Sequence, residues 1–261
     1  MGYNDRIKTL ILRMIFKVNN CKIRLELNSN VFAPTIAAQR FLEVLEMKND
    51  EKKQRVLDVG TGTGVFAIYL GLNGYSKILA TDCYDKAVEC AKNNVELNDL
   101  NKQIEVRESN VFSEIKGSEK FGLIVANPSN LPEGIWKDEN VKNLIVDREI
   151  MGGERGNEVL VSIAENIDEI MDKGRVVFLQ PTYTNIDYVK GILKKKGFQI
   201  SVLYRSKHKL STWPWNEWKY DKEKLIDKLK QFEKKENGKD YIVYDEGAPS
   251  MVIEIVEAER V

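Results

Sequence analysis

The sequence predicts a doubly wound α/β fold, and three observations carry that expectation. From Arg55 onward, short apolar runs alternate with longer amphipathic ones, the pattern of a mostly parallel sheet with helices on both faces. The first of these runs, Val56-Leu57-Asp58-Val59, leads straight into Gly60-Thr61-Gly62-Thr63-Gly64, a glycine turn that opens a helix. At 261 residues and 43% apolar composition, the chain suits one such domain with insertions and a sizeable core.

Taken in order, the strands of that sheet are expected at 55–59, 77–81, 104–108, 121–126, 174–180, 199–204 and 251–256. Helices are expected at 65–72, 86–97, 157–172 and 186–196. The first 50 residues hold an alternating run from Cys21 to Leu27, with Ile23, Leu25 and Leu27 on one face, then a helix over about 35–47. They read as a small lead-in subdomain, 1–50, packed over the carboxyl edge of the sheet, with the main domain at 51–261. A highly charged stretch at about 206–250 reads as an insertion before the last strand. It concentrates Trp213, Trp215 and Trp218 within six residues. Indoles at that density serve either as a platform for a ligand or partner or as pins holding the insertion to the sheet. The Lys/Glu run from Lys222 to Lys239 reads as a solvated helix.

Composition argues against several function classes, although a zero net charge leaves a local basic face open. Lys plus Arg number 40 and Asp plus Glu number 40, so no net field favours nucleic acid or an anionic membrane. Cys21, Cys83 and Cys90 are odd in number and form no CxxC pair, which argues against a disulfide framework or zinc site and for the reducing cytoplasm. The one histidine, His208, lies among Arg205, Lys207 and Lys209, so no metal site is expected. The apolar stretch from Thr9 to Val18 carries Arg13 and Lys17 and is too short to span a bilayer. No small-residue cleavage site follows it, which argues against a signal peptide.

Gly60, Gly62 and Gly64 let the backbone turn sharply and approach a ligand at the carboxyl end of the first strand. A dinucleotide loop would need Gly or Ala where Val65 stands, and a phosphate loop would need a Gly-Lys-Ser/Thr ending. The spacing Gly-x-Gly-x-Gly after Asp58 instead resembles the first motif of class I methyltransferases, although a plain tight turn has the same glycines. Asp82 ends the next strand, 18 residues past Gly64, where a carboxylate accepts both ribose hydroxyls of adenosylmethionine or of NAD alike. The third strand runs into Glu108-Ser109-Asn110-Val111-Phe112. This resembles the family stretch Gly-Asp-Leu-Phe, with Asn110 at the position that contacts the adenine amino group. Asn110 is equally suited to be a turn residue.

The fourth strand ends in Asn127-Pro128-Ser129-Asn130-Leu131-Pro132. With the glycine loop upstream, this is similar to the Asn-Pro-Pro-aromatic methyltransferases, which methylate nitrogens of amides and of exocyclic base amines. The release-factor glutamine methyltransferases are the most similar branch. Asp147, Gly152-Gly153-Glu154-Arg155-Gly156-Asn157-Glu158 and the following helix and strand fill the places of that branch's downstream segments. The resemblance spans about 31–198. It implies a seven-stranded sheet closing on an antiparallel strand, and S-adenosyl-L-methionine as cofactor. It also implies cofactor contacts from Asp58, Gly60, Gly62, Gly64, Asp82, Asn110 and Asn127, and catalysis resting on Asn127 and Pro128.

The chemistry accounts for those residue types. An amide nitrogen is a poor nucleophile because its lone pair is delocalised. The Asn127 side-chain oxygen and the Pro128 carbonyl would accept its two hydrogens and align it with the methyl–sulfur bond, so that positioning and dipoles do the catalysis. Ser129 and Asn130 depart from the family's Pro-aromatic pair. A ring from Trp136 or from the tryptophan-rich insertion is one replacement. A non-planar acceptor in a peptide or small metabolite is another, and a non-catalytic, methyltransferase-like binding subunit is a third reading. The acceptor classes left open are a protein glutamine, a nucleic-acid amine or a small molecule.

Overall fold

The alternation of apolar side chains builds a sheet with a core on each face. The computed structural model describes residues 12–27, 31–49, 51–132, 152–209, 227, 230–231, 243–245 and 247–261. In chain order these form β1 (Leu12–Val18), β2 (Cys21–Leu27), α1 (Ile36–Val44), β3 (Val56–Val59), α2 (Val65–Leu72), β4 (Ile78–Asp82) and α3 (Asp85–Leu97). There follow β5 (Ile104–Glu108), β6 (Leu123–Ala126), α4 (Glu158–Asn166), β7 (Gly174–Pro181), α5 (Ile186–Lys195), β8 (Gln199–Lys209), β9 (Val243–Asp245) and β10 (Ala248–Arg260).

Seven strands run in the order β5-β4-β3-β6-β7-β10-β8, and the short β9 pairs with β10. The strands from β5 to β7 pair in parallel, while β10 is antiparallel to both β7 and β8. This is the Rossmann-like sheet expected from the sequence. Odd and even residues divide between the faces. Val56, Ile78, Ala80, Leu123, Val125, Val177 and Ile255 enter one core, and Leu57, Val59, Leu79, Ile124, Ala126, Val176 and Val256 the other.

The lead-in residues do not sit over the carboxyl edge of the sheet as expected. The β1–β2 hairpin packs its inward row, Phe16, Val18, Ile23, Leu25 and Leu27, into the core that also holds α2, so it lies on the helix layer. Asn94 and Asn98 of α3 secure it. Their side-chain oxygens accept the Glu26 and Arg24 N–H groups at 2.7 and 3.0 Å, satisfying the free edge of β2. This layer explains why α2 is apolar all round: Val65 through Leu70 are buried, between the sheet on one side and hairpin and α1 on the other. Phe41 of α1 meets Phe66 of α2 edge to face at 4.8 Å between centroids.

Several elements differ from the expectation: β9 and the ends of β10 were not foreseen, and α1 and α4 stop earlier than expected. Leu12–Val18 is a strand, and β8 continues through Ser206–Lys209, residues that read as insertion, because Ser250 through Ile253 of β10 pair with them. Trp136, Trp213, Trp215, Trp218 and Asp147 lie outside the described residues. Among the described residues, no helix is long and apolar enough to cross a membrane, and no cluster of His, Cys, Asp and Glu is suited to a metal ion.

At the amino end of the sheet a single buried guanidinium ties the lead-in to the strands. Arg175, 0% exposed, donates from Nε and Nη2 to both carboxylate oxygens of Glu51 at 2.7 and 2.8 Å. It also reaches Glu257 at 2.6 Å and the Glu46 carbonyl at 2.5 Å. All of its hydrogen-bonding directions but one are thereby spent inside the protein. Removing the cation strands two shielded carboxylates, so Arg175→Met is expected to cost about 3–5 kcal/mol of stability. Denaturant unfolding at neutral pH measures this, and an unchanged midpoint would show that the clamp contributes nothing.

Candidate active site

The register of the parallel strands decides which residues meet. Val59 of β3 lies opposite Thr81 of β4 and Ala126 of β6, so the carboxyl ends of these three strands are level. Gly60, Asp82 and Asn127, each the next residue along its strand, therefore share one row at the edge of the sheet. The chain winds from β3 to β4 and β5 on one side, then crosses to β6 on the other, so this row sits at the topological switch point where open α/β sheets bind ligands.

The glycine loop is built on positive φ. Gly60, Gly62 and Gly64 have φ of 71°, 54° and 82°. At Gly60 a second constraint applies, because a Cβ there would stand 3.2 Å from Pro128 Cα. The loop after β3 and the motif after β6 are in backbone contact at this point. Around Gly62 the situation is the reverse: a Cβ would meet nothing within 4 Å, so the loop faces open space.

Two carboxylates hold the loop from below and from the side. Asp58, 1% exposed, accepts the Thr61 hydroxyl at 2.6 Å and the Ala67 N–H at 3.2 Å through one oxygen. It thus anchors the turn and satisfies a first-turn donor of α2, so its carboxylate is engaged with the loop itself. Burial pushes its pKa up to about 7, against the pull of those two hydrogen bonds, and the nearby Asp82 charge adds to the rise. Asp82, partly exposed, accepts the Gly62 N–H at 2.9 Å on one oxygen and the Tyr84 N–H at 3.1 Å on the other. Its pKa is also raised by burial, with backbone donors opposing.

Asn110 follows Ser109, whose N–H donates to the Asp82 carbonyl at 2.8 Å, so the end of β5 is tied to the end of β4. The Asn110 side chain is exposed beside Val111, which adopts a left-handed φ of 52°. Asn127 is partly exposed and Pro128 buried.

A second layer, not anticipated in the sequence, backs the Asn127–Pro132 motif. A Cβ on Gly152 would lie 2.5 Å from the Ser129 carbonyl oxygen and 2.8 Å from Asn130 Cα, so only glycine lets the two segments touch. Gly152 donates its N–H to Leu131 at 2.9 Å. Behind this, Asn157 and Gln180 both donate to the Thr184 carbonyl, at 2.6 and 3.0 Å. Tyr183 sends its hydroxyl to the Asn130 side-chain oxygen at 3.0 Å. Gly152 and Asn157 fall in the segment that the family resemblance singled out, whereas no local pattern marked Gln180, Tyr183 or Thr184. His208 lies on β8 rather than in a loop, 2.7 Å from the Ser206 hydroxyl, and burial lowers its pKa.

Comparison with known proteins fits this geometry. A family model for ribosomal protein L11 methyltransferases matches residues 37–128. A Methanocaldococcus jannaschii protein, named provisionally as a protein N5-glutamine methyltransferase, is 32% identical over 186 residues, covering 71% of this chain and 89% of that relative. The chain belongs to that family of class I methyltransferases. This S-adenosylmethionine-dependent methyltransferase is also similar to the release factor glutamine methyltransferase of Aquifex aeolicus, at 28% identity over 68% of this chain. It spans a little under two thirds, 64%, of that relative's length. Its fold is shared with a chain of the E. cuniculi Mtq2–Trm112 complex, described as responsible for methylating the eRF1 translation termination factor. There the TM-score is 0.52 and the identity 16%, with 89% of this chain and 99% of that one covered.

The raised pKa of Asp58 has a stability consequence with a definite sign. A carboxyl whose folded pKa lies above its unfolded value of 3.8 binds its proton more tightly when folded. Its contribution is full below pH 4 and is lost as pH rises toward 7. In Asp58→Asn this dependence disappears. The stability of wild type relative to Asp58→Asn is expected to fall between pH 4 and 7 and to level off above, in unfolding curves at stepped pH. Parallel profiles would show that the carboxyl titrates normally.

Proposed function

We propose that this methyltransferase methylates the side-chain amide nitrogen of a glutamine in a protein, with a translation release factor as the first candidate. The observation that carries the proposal is the backbone contact of the glycine loop with Pro128, which sets a donor-binding turn directly against the Asn127–Pro128 motif. The names of the M. jannaschii and A. aeolicus relatives support the acceptor class.

The residues fit S-adenosylmethionine. Gly60, Gly62 and Gly64 form a cradle whose open side faces space, and the partly exposed Asp82 carboxylate, with backbone donors on both oxygens, has lone-pair capacity left for the ribose hydroxyls. Asn110, next to the tied ends of β4 and β5, would accept from the adenine amino group. When bound, the cofactor supplies an electrophilic methyl carbon, whose bond to sulfur breaks with the electron pair leaving on sulfur. Asp58 holds Thr61 and Ala67 through one oxygen and so positions the loop.

On the acceptor side, Asn127 Oδ1 and the Pro128 carbonyl take the two hydrogens of the amide and turn its nitrogen toward the methyl group. One of those protons departs to solvent as the new C–N bond forms. No strong base is required, since positioned dipoles stabilise the developing positive charge on nitrogen.

Labelled methyl transfer to release-factor fractions and to other cell proteins, followed by mapping of the labelled residue, tests the acceptor. Glutamine is expected; label on lysine, on nucleic acid or on small molecules alone would contradict the proposal. Two variants test the residue roles. Asp82→Ala is expected to weaken cofactor binding about tenfold to a hundredfold through loss of charged hydrogen bonds, measured by calorimetry. Asn127→Ala is expected to keep cofactor affinity and lose about a hundredfold to a thousandfold in turnover. Wild-type turnover in Asn127→Ala would end the amide-positioning mechanism.

A further inference from the structure

Asn130 sits three residues beyond Asn127 in the same segment, and its side chain is held in one orientation. The Tyr183 hydroxyl donates to its oxygen at 3.0 Å, and Tyr183 is only 6% exposed. Burial pushes the tyrosine pKa well above the ordinary phenol range, so the hydroxyl stays protonated and acts as the donor. Rotating the Asn130 amide by a half-turn would set its NH2 group against that hydroxyl and leave the hydroxyl hydrogen without an acceptor inside the core. The backbone is equally constrained: Gly152 touches Asn130 Cα at the distance only glycine tolerates, and Gly156 abuts the Asn130 carbonyl. The side-chain oxygen is thus turned toward Tyr183. Among the described residues, no acceptor takes the NH2 group of this partly exposed side chain.

With Asn127 Oδ1 and the Pro128 carbonyl as the acceptors proposed above, Asn130 Nδ2 would add a donor to the same segment. A primary carboxamide is the complement of that set, with two N–H donors on its nitrogen and one carbonyl acceptor. An aliphatic amine would leave the Asn130 donor without a partner. A carboxylate would bring no hydrogens to the two acceptors.

We propose that Asn130, oriented by Tyr183, is a specificity-determining residue that donates to the carbonyl oxygen of the acceptor carboxamide. This rests on the glutamine reading above and deepens it. Donation to the carbonyl draws the nitrogen lone pair further into amide resonance, so it does not speed attack on the methyl group. It recognises and orients the acceptor. Its loss therefore belongs in KM, whereas loss of Asn127 belongs in kcat. Tyr183 is a positioning residue that acts only through Asn130.

The test uses the full-length enzyme with S-adenosylmethionine and a library of peptides differing in one central residue, glutamine, glutamate or lysine. For the best-labelled glutamine peptide, Asn130→Ala is expected to raise KM about three- to tenfold, the worth of one neutral hydrogen bond, with kcat held within about twofold. Tyr183→Phe keeps the ring and its packing and is expected to raise KM in the same direction. The double variant should be no worse than Asn130→Ala alone, because both changes remove one interaction. An unchanged KM in Asn130→Ala, or additive effects in the double variant, overturns this inference while leaving the glutamine reading intact. Label on the lysine peptide instead, or on none of the peptides, overturns the carboxamide reading and this inference together.

Discussion

The close approach of Gly60 to Pro128 is the constraint on which the rest of the site depends. A strand-end turn that binds a donor and a strand-end motif that binds an acceptor are useful only at a fixed separation. Here the separation is set by van der Waals contact between two backbones, 3.2 Å from a would-be Cβ to Pro128 Cα. The level register of β3 and β6 brings the segments together, and a glycine with positive φ lets them touch. Proline on the other side removes both a donor and a degree of freedom at the contact. Neither segment can shift without moving the other.

Around that contact the structure spends its polar groups on rigidity. Asp58 and Asp82 hold the loop and the start of α2 by three hydrogen bonds, and Asn157, Gln180 and Thr184 hold the turn after β7. The energetic cost is visible at Asp58, whose buried carboxylate is pushed toward neutrality. At the opposite edge of the sheet, Arg175 fastens the segment after α1 to β7 and β10. The lead-in hairpin then covers α2, the helix that starts at the glycine loop. The amino-terminal region thus supports the site through α2, as a third layer over the sheet.

The parts of this arrangement that are local in sequence were legible there. The seven strands in line across the sheet follow from their own apolar runs, and the glycine loop from five consecutive residues, whereas β9 lies in the stretch read as insertion. β1 was not read as a strand because Ile15, on the outward face with Arg13 and Lys17, breaks the alternation of Met14, Phe16 and Val18 and makes the stretch look continuously apolar. The last four residues of β8 were read as insertion because Ser206–Lys209 are polar, and their strand partner lies some 40 residues later in β10. Asp58 illustrates a subtler gap. Its presence beside the glycines is evident, but whether a carboxylate faces a ligand or its own loop depends on a hydroxyl three residues on and an N–H nine residues on. Tyr183 is 53 residues from Asn130, and no local pattern links them.

The most direct measurement of the central claim is Gly60→Ala, assayed for cofactor affinity by calorimetry and for turnover at saturating cofactor. An added Cβ must resist a left-handed φ and press on Pro128, a strain of about 1–3 kcal/mol shared between the two segments. The account predicts that affinity and saturated turnover fall together, each by about tenfold, in a protein that still melts cooperatively. Weakened affinity with untouched turnover at saturation would show that the loop and the acceptor motif act independently, and would contradict it.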